Sequence, residues 1–314
     1  MNVVLLAGGV GGAKMAEGLA RQVGRDLTVI VNTGDDLELY GLAIWPDHDT
    51  VAYTLAGLDD EIRGWGLRGE SWTVMDRLEA LGETPWFRLG DQDLATHLWR
   101  TERLRAGRRP TEVALELAAV MAIEPRILPM ADEPVRTEVR TDDGWLEFQE
   151  YFVHRHQEPT VHEVRFAGLD AATATPEVVA AIAEAEVIVI APSNPIVSID
   201  PILAVPGVRH ALEARGPDVP IAAVSGIVGG KALKGPADRM LQSMGEEPSA
   251  LGVARRYAPL LTHFVLDDVD EALEPQVRGL GVETLVTDTI MTSDVSRARL
   301  AGEILRFAQG ATTG

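Results

Sequence analysis

The chain has 314 residues, with 28 Lys and Arg against 48 Asp and Glu, a net charge of −20, and no cysteine. Such a field repels nucleic-acid phosphates and anionic lipid surfaces, so neither is expected as a partner. The missing thiols exclude disulfides, cysteine nucleophiles, iron–sulfur clusters and Cys-ligated zinc. With 46% hydrophobic and 24% charged residues, the composition is that of an ordinary folded protein. No apolar run reaches the ~18 residues a membrane span needs, and no basic leader precedes Gly8, so a cytoplasmic location is expected.

Val3 to Ala7 is an apolar run that ends in Gly8-Gly9-Val10-Gly11-Gly12, and Ala13 to Ala20 follows with helix-forming residues. Leu27 to Val31 is a second apolar run, closed by Asn32-Thr33-Gly34-Asp35-Asp36. Strand, glycine turn, helix, strand opens a parallel sheet buried on both faces. Thr111 to Ile123 has apolar residues at helical spacing, and Val135 to Phe148, around Asp142-Asp143-Gly144, reads as a β-hairpin. Val187 to Ala191, Pro220 to Val224, His263 to Leu266 and Val282 to Val286 predict further strands with helices between them. The expected architecture is one α/β domain over residues 1–314: a Rossmann-like, mostly parallel sheet with a β-hairpin and a mainly helical insertion at about 50–130.

Four segments can carry chemistry. Gly8, Gly9, Gly11 and Gly12 let the backbone turn tightly and present N–H groups to a phosphate, with Lys14 and a helix N-terminus behind them. The loop is neither a Walker motif, because Ala13-Lys14-Met15 supplies no metal-binding hydroxyl, nor a dinucleotide fingerprint, which wants glycine where Lys14 stands. Asp35 and Asp36 follow the second strand, where a divalent cation or a ribose would be held; surface acids are the alternative. Asp47 and Asp49, in Pro46-Asp47-His48-Asp49-Thr50, leave the same alternatives open. Asp91 or Asp93 can cap the helix that carries His97. Ser193, Asn194 and Ser198, in Ala191-Pro192-Ser193-Asn194-Pro195-Ile196-Val197-Ser198, lie past another strand end, as does Ser225-Gly226. Several such loops at strand ends suit a nucleotide diphosphate across the sheet edge.

These motifs, with Val31-Asn32-Thr33-Gly34-Asp35-Asp36, Leu89-Gly90-Asp91-Gln92-Asp93-Leu94-Ala95-Thr96-His97, Phe148-Gln149-Glu150 and Met291-Thr292-Ser293, together resemble the 2-phospho-L-lactate transferase family of coenzyme F-420 biosynthesis. The resemblance covers nearly the whole chain. It implies a Mg²⁺-dependent, phosphotransferase-type enzyme. Such an enzyme moves a phospholactyl or phosphoenolpyruvyl group from a guanosine-diphosphate-linked donor to the ribityl hydroxyl of the deazaflavin Fo, releasing GMP.

On this resemblance Asp49 and Arg88 contact Fo, and Asp49 is a candidate catalytic proton acceptor. Gly8, Gly9, Gly11, Gly12, Lys14, Asn32, Ser193, Asn194 and Ser198 are expected to bind the nucleotide, and Asp35 and Asp36 the metal. Folds of this kind often pair, so a homodimer is an open expectation. One alternative is a regulatory protein of the related gluconeogenesis-factor family, which binds a sugar nucleotide without turning it over. The other is an NAD-dependent oxidoreductase.

Overall fold

A computed structural model describes residues 1–310. Strand β1 (Val3–Ala7) passes through one extended residue, Gly8, into helix α1 (Gly9–Val23), and β2 (Leu27–Val31) returns alongside. The helix thus begins at Gly9 rather than at Ala13, because the turn needs only Gly8, and the remaining glycines form the first helical turn. A short hairpin, β3 (Leu37–Leu39) and β4 (Leu42–Ile44), leads into four helices: α2 (Pro46–Leu55), α3 (Thr73–Ala80), α4 (Asp91–Arg105) and α5 (Pro110–Val120). Strand β5 (Arg126–Pro129) then rejoins the main sheet beside β2. The expected hairpin is β6 (Arg136–Thr141) with β7 (Gly144–Glu147), and a third strand, β8 (Glu163–Ala167), pairs on the other side of β6. The remainder supplies β9 (Val187–Ile190), β10 (Ile221–Val224), the small hairpin β11 (Ile227–Val228) and β12 (Lys231–Ala232), β13 (His263–Leu266) and β14 (Glu283–Val286).

Seven strands make one wholly parallel sheet in the order β14-β13-β10-β9-β1-β2-β5. The chain runs outward from β1 through β2 to β5, then returns to β9 on the other side of β1 and runs outward again. Strand order therefore reverses at the β1–β9 boundary, where open α/β sheets leave a crevice beyond the strand carboxyl ends. The glycine loop after β1 and the Pro192-Ser193-Asn194 loop after β9 both lie there.

Alternate residues of β1 enter different layers: Val4 and Leu6 join one core, and Val3, Leu5 and Ala7 the other. A strand buried on both faces has to be apolar throughout, which is why these runs are continuous. On the second face α1 packs between α2 and the C-terminal helix Asp294–Ala308. Gly18 permits that crossing, since a Cβ there would strike the Arg297 carbonyl oxygen. Among the described residues no helix is long and apolar enough to cross a membrane.

Candidate active site

A cavity of about 1030 Å³ opens at the switch point of the sheet. One wall is the glycine loop. Gly9 has φ of +60°, a left-handed conformation natural to glycine, and carries its backbone past Asp47. A Cβ on Gly8 would lie 2.6 Å from Asp47 Oδ2. Gly8, Gly9 and Gly11 line the cavity, whereas Gly12 does not. Gly12 is instead a packing glycine, pressed against the Ala7 side chain, and Gly11 is closed from outside by the Pro192 carbonyl oxygen.

The loop after β9 braces this wall. Ser193 Oγ donates to the Gly8 carbonyl at 2.7 Å and accepts from the Gly8 N–H at 3.3 Å. Asn194 Oδ1 takes the Ile196 N–H at 2.9 Å as an N-cap. That leaves its side-chain amide on the cavity wall with only the Met240 sulfur, 3.8 Å away. Ser198 also lines the cavity. Lys14, a turn further along α1, reaches the opposite wall and donates to the Met291 carbonyl at 2.8 Å.

The acids divide between two places. Asp35 and Asp47 line the cavity beside the glycine loop; Asp36, though buried, does not line it. Asn32, placed among the nucleotide contacts by the sequence, lies behind the wall as a brace, donating to Asp47 Oδ2 at 2.9 Å and to the Val197 carbonyl at 3.2 Å. Burial, and then the charge of Asp47, pushes the Asp35 carboxyl well above its ordinary value. Asp47 is pushed up to about 6 by burial, against bonds from Asn32 and the Gly9 N–H. Asp35 Oδ1 is buried without a hydrogen-bond partner. Two close, dehydrated carboxylates with an unsatisfied oxygen fit a hard divalent cation, which takes one or two carboxylates and shares the rest of its shell with phosphate oxygens.

Asp49 belongs to a second cluster. It is buried on α2, paired with the Arg100 guanidinium from α4, with His48 Nδ1 at 3.5 Å and His97 Nδ1 at 3.7 Å. Burial alone would raise its carboxyl, but the Arg100 charge, with His48 and His97, holds it well below the usual carboxylate range. Such a group stays ionised and retains protons poorly, and its Oδ2 has no hydrogen-bond partner, so Asp49 suits orientation of a hydroxyl better than proton storage. Asp93 completes the cluster, taking the Tyr53 hydroxyl at 2.5 Å, with His97 Nε2 at 3.3 Å. Asp49, Asp93 and His97 are close enough to share an ion, yet Arg100 already neutralises Asp49 and donates to His97 Nδ1 at 3.2 Å. The Asp35–Asp47 pair, with no cation partner among the described residues, is the better candidate to hold a metal.

The remaining walls are aromatic, with Trp65 and Trp72 at 6.0 Å, Trp86 and Phe87 at 5.8 Å, and Phe148 and Phe152 at 5.4 Å between ring centroids. Arg88 lies on this side, its guanidinium 5.4 Å from the Trp72 ring and bonded to Asp76 at 2.6 Å and Glu79 at 3.2 Å. The glycine turn, the paired acids and a wall of aromatic rings therefore share one cavity. Sequence reading missed the aromatic wall and Arg100; the period of α4, which puts residues 93, 97 and 100 on one face, was the available signal. Asp91 also departs from expectation. Gly90 caps α4, and Asp91 instead accepts the Thr73 and Val74 N–H groups, each at 3.0 Å, closing the start of α3.

A Rossmann-like sheet with a glycine turn at its switch point, opening on a large cavity lined by acids and aromatic rings, has the architecture of a small-molecule enzyme site. Residues 3–297 match the family described as 2-phospho-L-lactate transferase CofD, and the chain belongs to that family. It is thus a transferase of coenzyme F-420 biosynthesis. It is 42% identical over 314 residues to the phosphoenolpyruvate transferase of Kitasatospora aureofaciens, covering 96% of this chain and 97% of that one. It is 36% identical over 300 residues to the 2-phospho-L-lactate transferase of Methanosarcina barkeri, covering 95% and 96%. A solved UPF0052 family member from Bacillus halodurans shares the fold, with a TM-score of 0.65 at 14% identity over 97% of this chain and 98% of that one. The regulatory alternative is not favoured by these relatives.

Proposed function

We propose that the protein moves a phosphate-linked three-carbon acid, phospholactate or phosphoenolpyruvate, from a guanosine-diphosphate-linked donor to the ribityl hydroxyl of Fo, in the cytoplasm. The observation that carries this reading is the single cavity that joins the Gly8–Gly11 turn and the Asp35–Asp47 pair to the aromatic wall beside Asp49 and Arg88. The donor diphosphate lies at the glycine loop, where backbone N–H groups and the start of α1 offset its charge. The Asn194 amide and Ser198 offer side-chain contacts to the same nucleotide. Asp35 and Asp47 would hold Mg²⁺, which when bound neutralises charge on the phosphates in flight.

Fo lies with its ring against the aromatic wall, Arg88 at the polar edge of the ring. Asp49, kept ionised and fixed by Arg100, accepts a hydrogen bond from the ribityl hydroxyl and aims its oxygen. That oxygen bonds to the phosphorus carrying the acid, and the bond from this phosphorus to the bridging oxygen breaks. The bridging oxygen leaves on GMP and in net balance takes the hydroxyl proton. Phosphoryl transfer of this kind asks for alignment and charge neutralisation more than for covalent catalysis, in keeping with a site that has no nucleophilic thiol. Incubation with Fo, Mg²⁺ and each donor, with the product identified by mass, tests the reading. A product heavier than Fo by the phospho-acid supports it, and unchanged Fo with every donor rejects it. Sedimentation of the purified protein tests a homodimer.

A further inference from the structure

Beside the main cavity, and sharing Val10, Lys14 and Thr50 of its wall, is a smaller one of about 110 Å³. Three cations border it: Lys14 from α1, Lys234 from the loop after β12, and Arg297 from the C-terminal helix. They come from segments far apart in sequence, so the tertiary fold alone gathers them. Lys234 reaches across to the loop of residues 57–69, where a Cβ on Gly64 would strike its Nζ. Arg297 is buried and pairs through its terminal nitrogens with Glu17 and with Glu61 at 3.2 Å, but its buried Nε–H has no partner. The acids on this wall are Asp59 and Glu61, and the Glu61 side chain is 59% exposed and turned to Arg297. Thr292 adds a hydroxyl at the rim.

In a chain of net charge −20, Lys14 and Lys234, which pair with no carboxylate among the described residues, and the unsatisfied Nε–H of an Arg297 otherwise held by Glu17, Glu61 and Asp294 mark a place for an anion. Lys14 itself is lowered, by burial and then by Arg297 and Lys234, which a bound negative charge would relieve. The volume has room for a carboxylate on a short carbon stub and none for a base or a sugar. We propose that this side cavity holds the carboxylate of the three-carbon acid on the donor, with Lys234 as its principal ion partner. The inference rests on the donor proposed above. It also rests on adjacency: Val10 and Lys14 line both cavities, so an acid carried on a diphosphate at the glycine turn has this recess beside it.

Steady-state kinetics with guanosine-diphosphate-linked enolpyruvate, alongside calorimetric binding of GDP, test it on Lys234→Met and Lys234→Arg. Lys234 is exposed, so neither change threatens the fold. Losing a charge-assisted contact should raise the donor KM of Lys234→Met by about tenfold or more. GDP affinity and kcat should stay near wild type, and Lys234→Arg should recover most of the KM. Wild-type turnover with an unchanged donor KM in Lys234→Met overturns the side-cavity assignment and leaves the proposed function standing. A parallel fall in GDP affinity also overturns it, making Lys234 a diphosphate ligand. A wild-type protein that turns over neither the enolpyruvyl nor the lactyl donor removes both readings.

Discussion

Asn32, at the end of β2, donates its side-chain amide to Asp47 Oδ2 at 2.9 Å, and so locks the first turn of α2 against the carboxyl edge of the sheet. The bond sets which acid faces the cavity. Asp47 is turned toward Asp35, and Asn32 stands behind it rather than in the cavity.

Removing either facing charge should therefore weaken the metal more than the fold. Asp35→Asn and Asp47→Asn each keep volume and delete one charge of the pair. Turnover should fall steeply and be partly recovered at higher Mg²⁺, while Asn32→Ala shows the same trend to a lesser degree. Titrating activity against Mg²⁺ in each variant decides the matter, and wild-type Mg²⁺ dependence in Asp35→Asn would make that residue an ordinary buried acid.

Acceptor and donor binding should separate. Arg88 is 41% exposed, and its pairs with Asp76 and Glu79 lie at the surface, where ion pairs contribute about 0–1 kcal/mol. Arg88→Ala should fold normally and bind Fo roughly ten- to hundredfold more weakly, as loss of a hydrogen bond to a charged group implies. Fo fluorescence reads the first quantity and GDP calorimetry the second, which should be nearly unchanged. Equal loss of both ligands would assign Arg88 a structural role.

Arg100 has no exposed surface, lies 4.4 Å above the Trp45 ring, and is the cation that neutralises Asp49. Arg100→Met strands a buried carboxylate, a loss of about 3–5 kcal/mol for a broken buried pair. Thermal unfolding should show a large drop for Arg100→Met and a much smaller one for Arg100→Met combined with Asp49→Leu. Similar drops in both would show that Arg100 acts through packing rather than charge.

Asp267 supplies an acid-sensitive brace. Its carboxylate takes the Thr289 N–H at 2.8 Å, the Thr289 hydroxyl at 2.7 Å and the Val269 N–H at 3.1 Å. Burial would raise it, but these bonds hold it below its ordinary value of 3.8. The folded form therefore binds this proton less readily than the unfolded chain. Its contribution is complete above the unfolded value and is lost as pH falls through the folded one. Asp267→Asn should lose about 1.5–3 kcal/mol in urea unfolding at neutral pH, with the difference from wild type shrinking below pH ~4. A difference independent of pH would place the effect elsewhere in the Thr289 loop.

The central strands were legible because burial on both faces makes them continuous apolar runs. Val3–Ala7, Leu27–Val31 and His263–Leu266 fall where the sequence puts them. The polar or short strands were not. Arg126–Pro129 begins with an exposed arginine and ends in proline, as an edge strand can, and Glu163–Ala167 has no buried residue to mark it.

Of the candidate site, the glycine turn, Asp35 and Asn194 could be named from motifs, because each loop lies at a strand end whose chemistry is local, whereas Asp49 and Arg88 were singled out only by the family resemblance. Only the tertiary structure decided what each one faces. It set Asn32 behind Asp47, turned Asp36 away from the cavity, and closed Gly11 with the Pro192 carbonyl. It also brought Arg100 onto Asp49 across 51 residues of chain, and Lys234 beside Lys14 from the other half of the molecule. The division has a physical reason. Periodicity and turn chemistry act over a few residues and are written in neighbouring letters. Charge pairing and cavity shape act through space, between segments whose approach depends on how the whole sheet is wound.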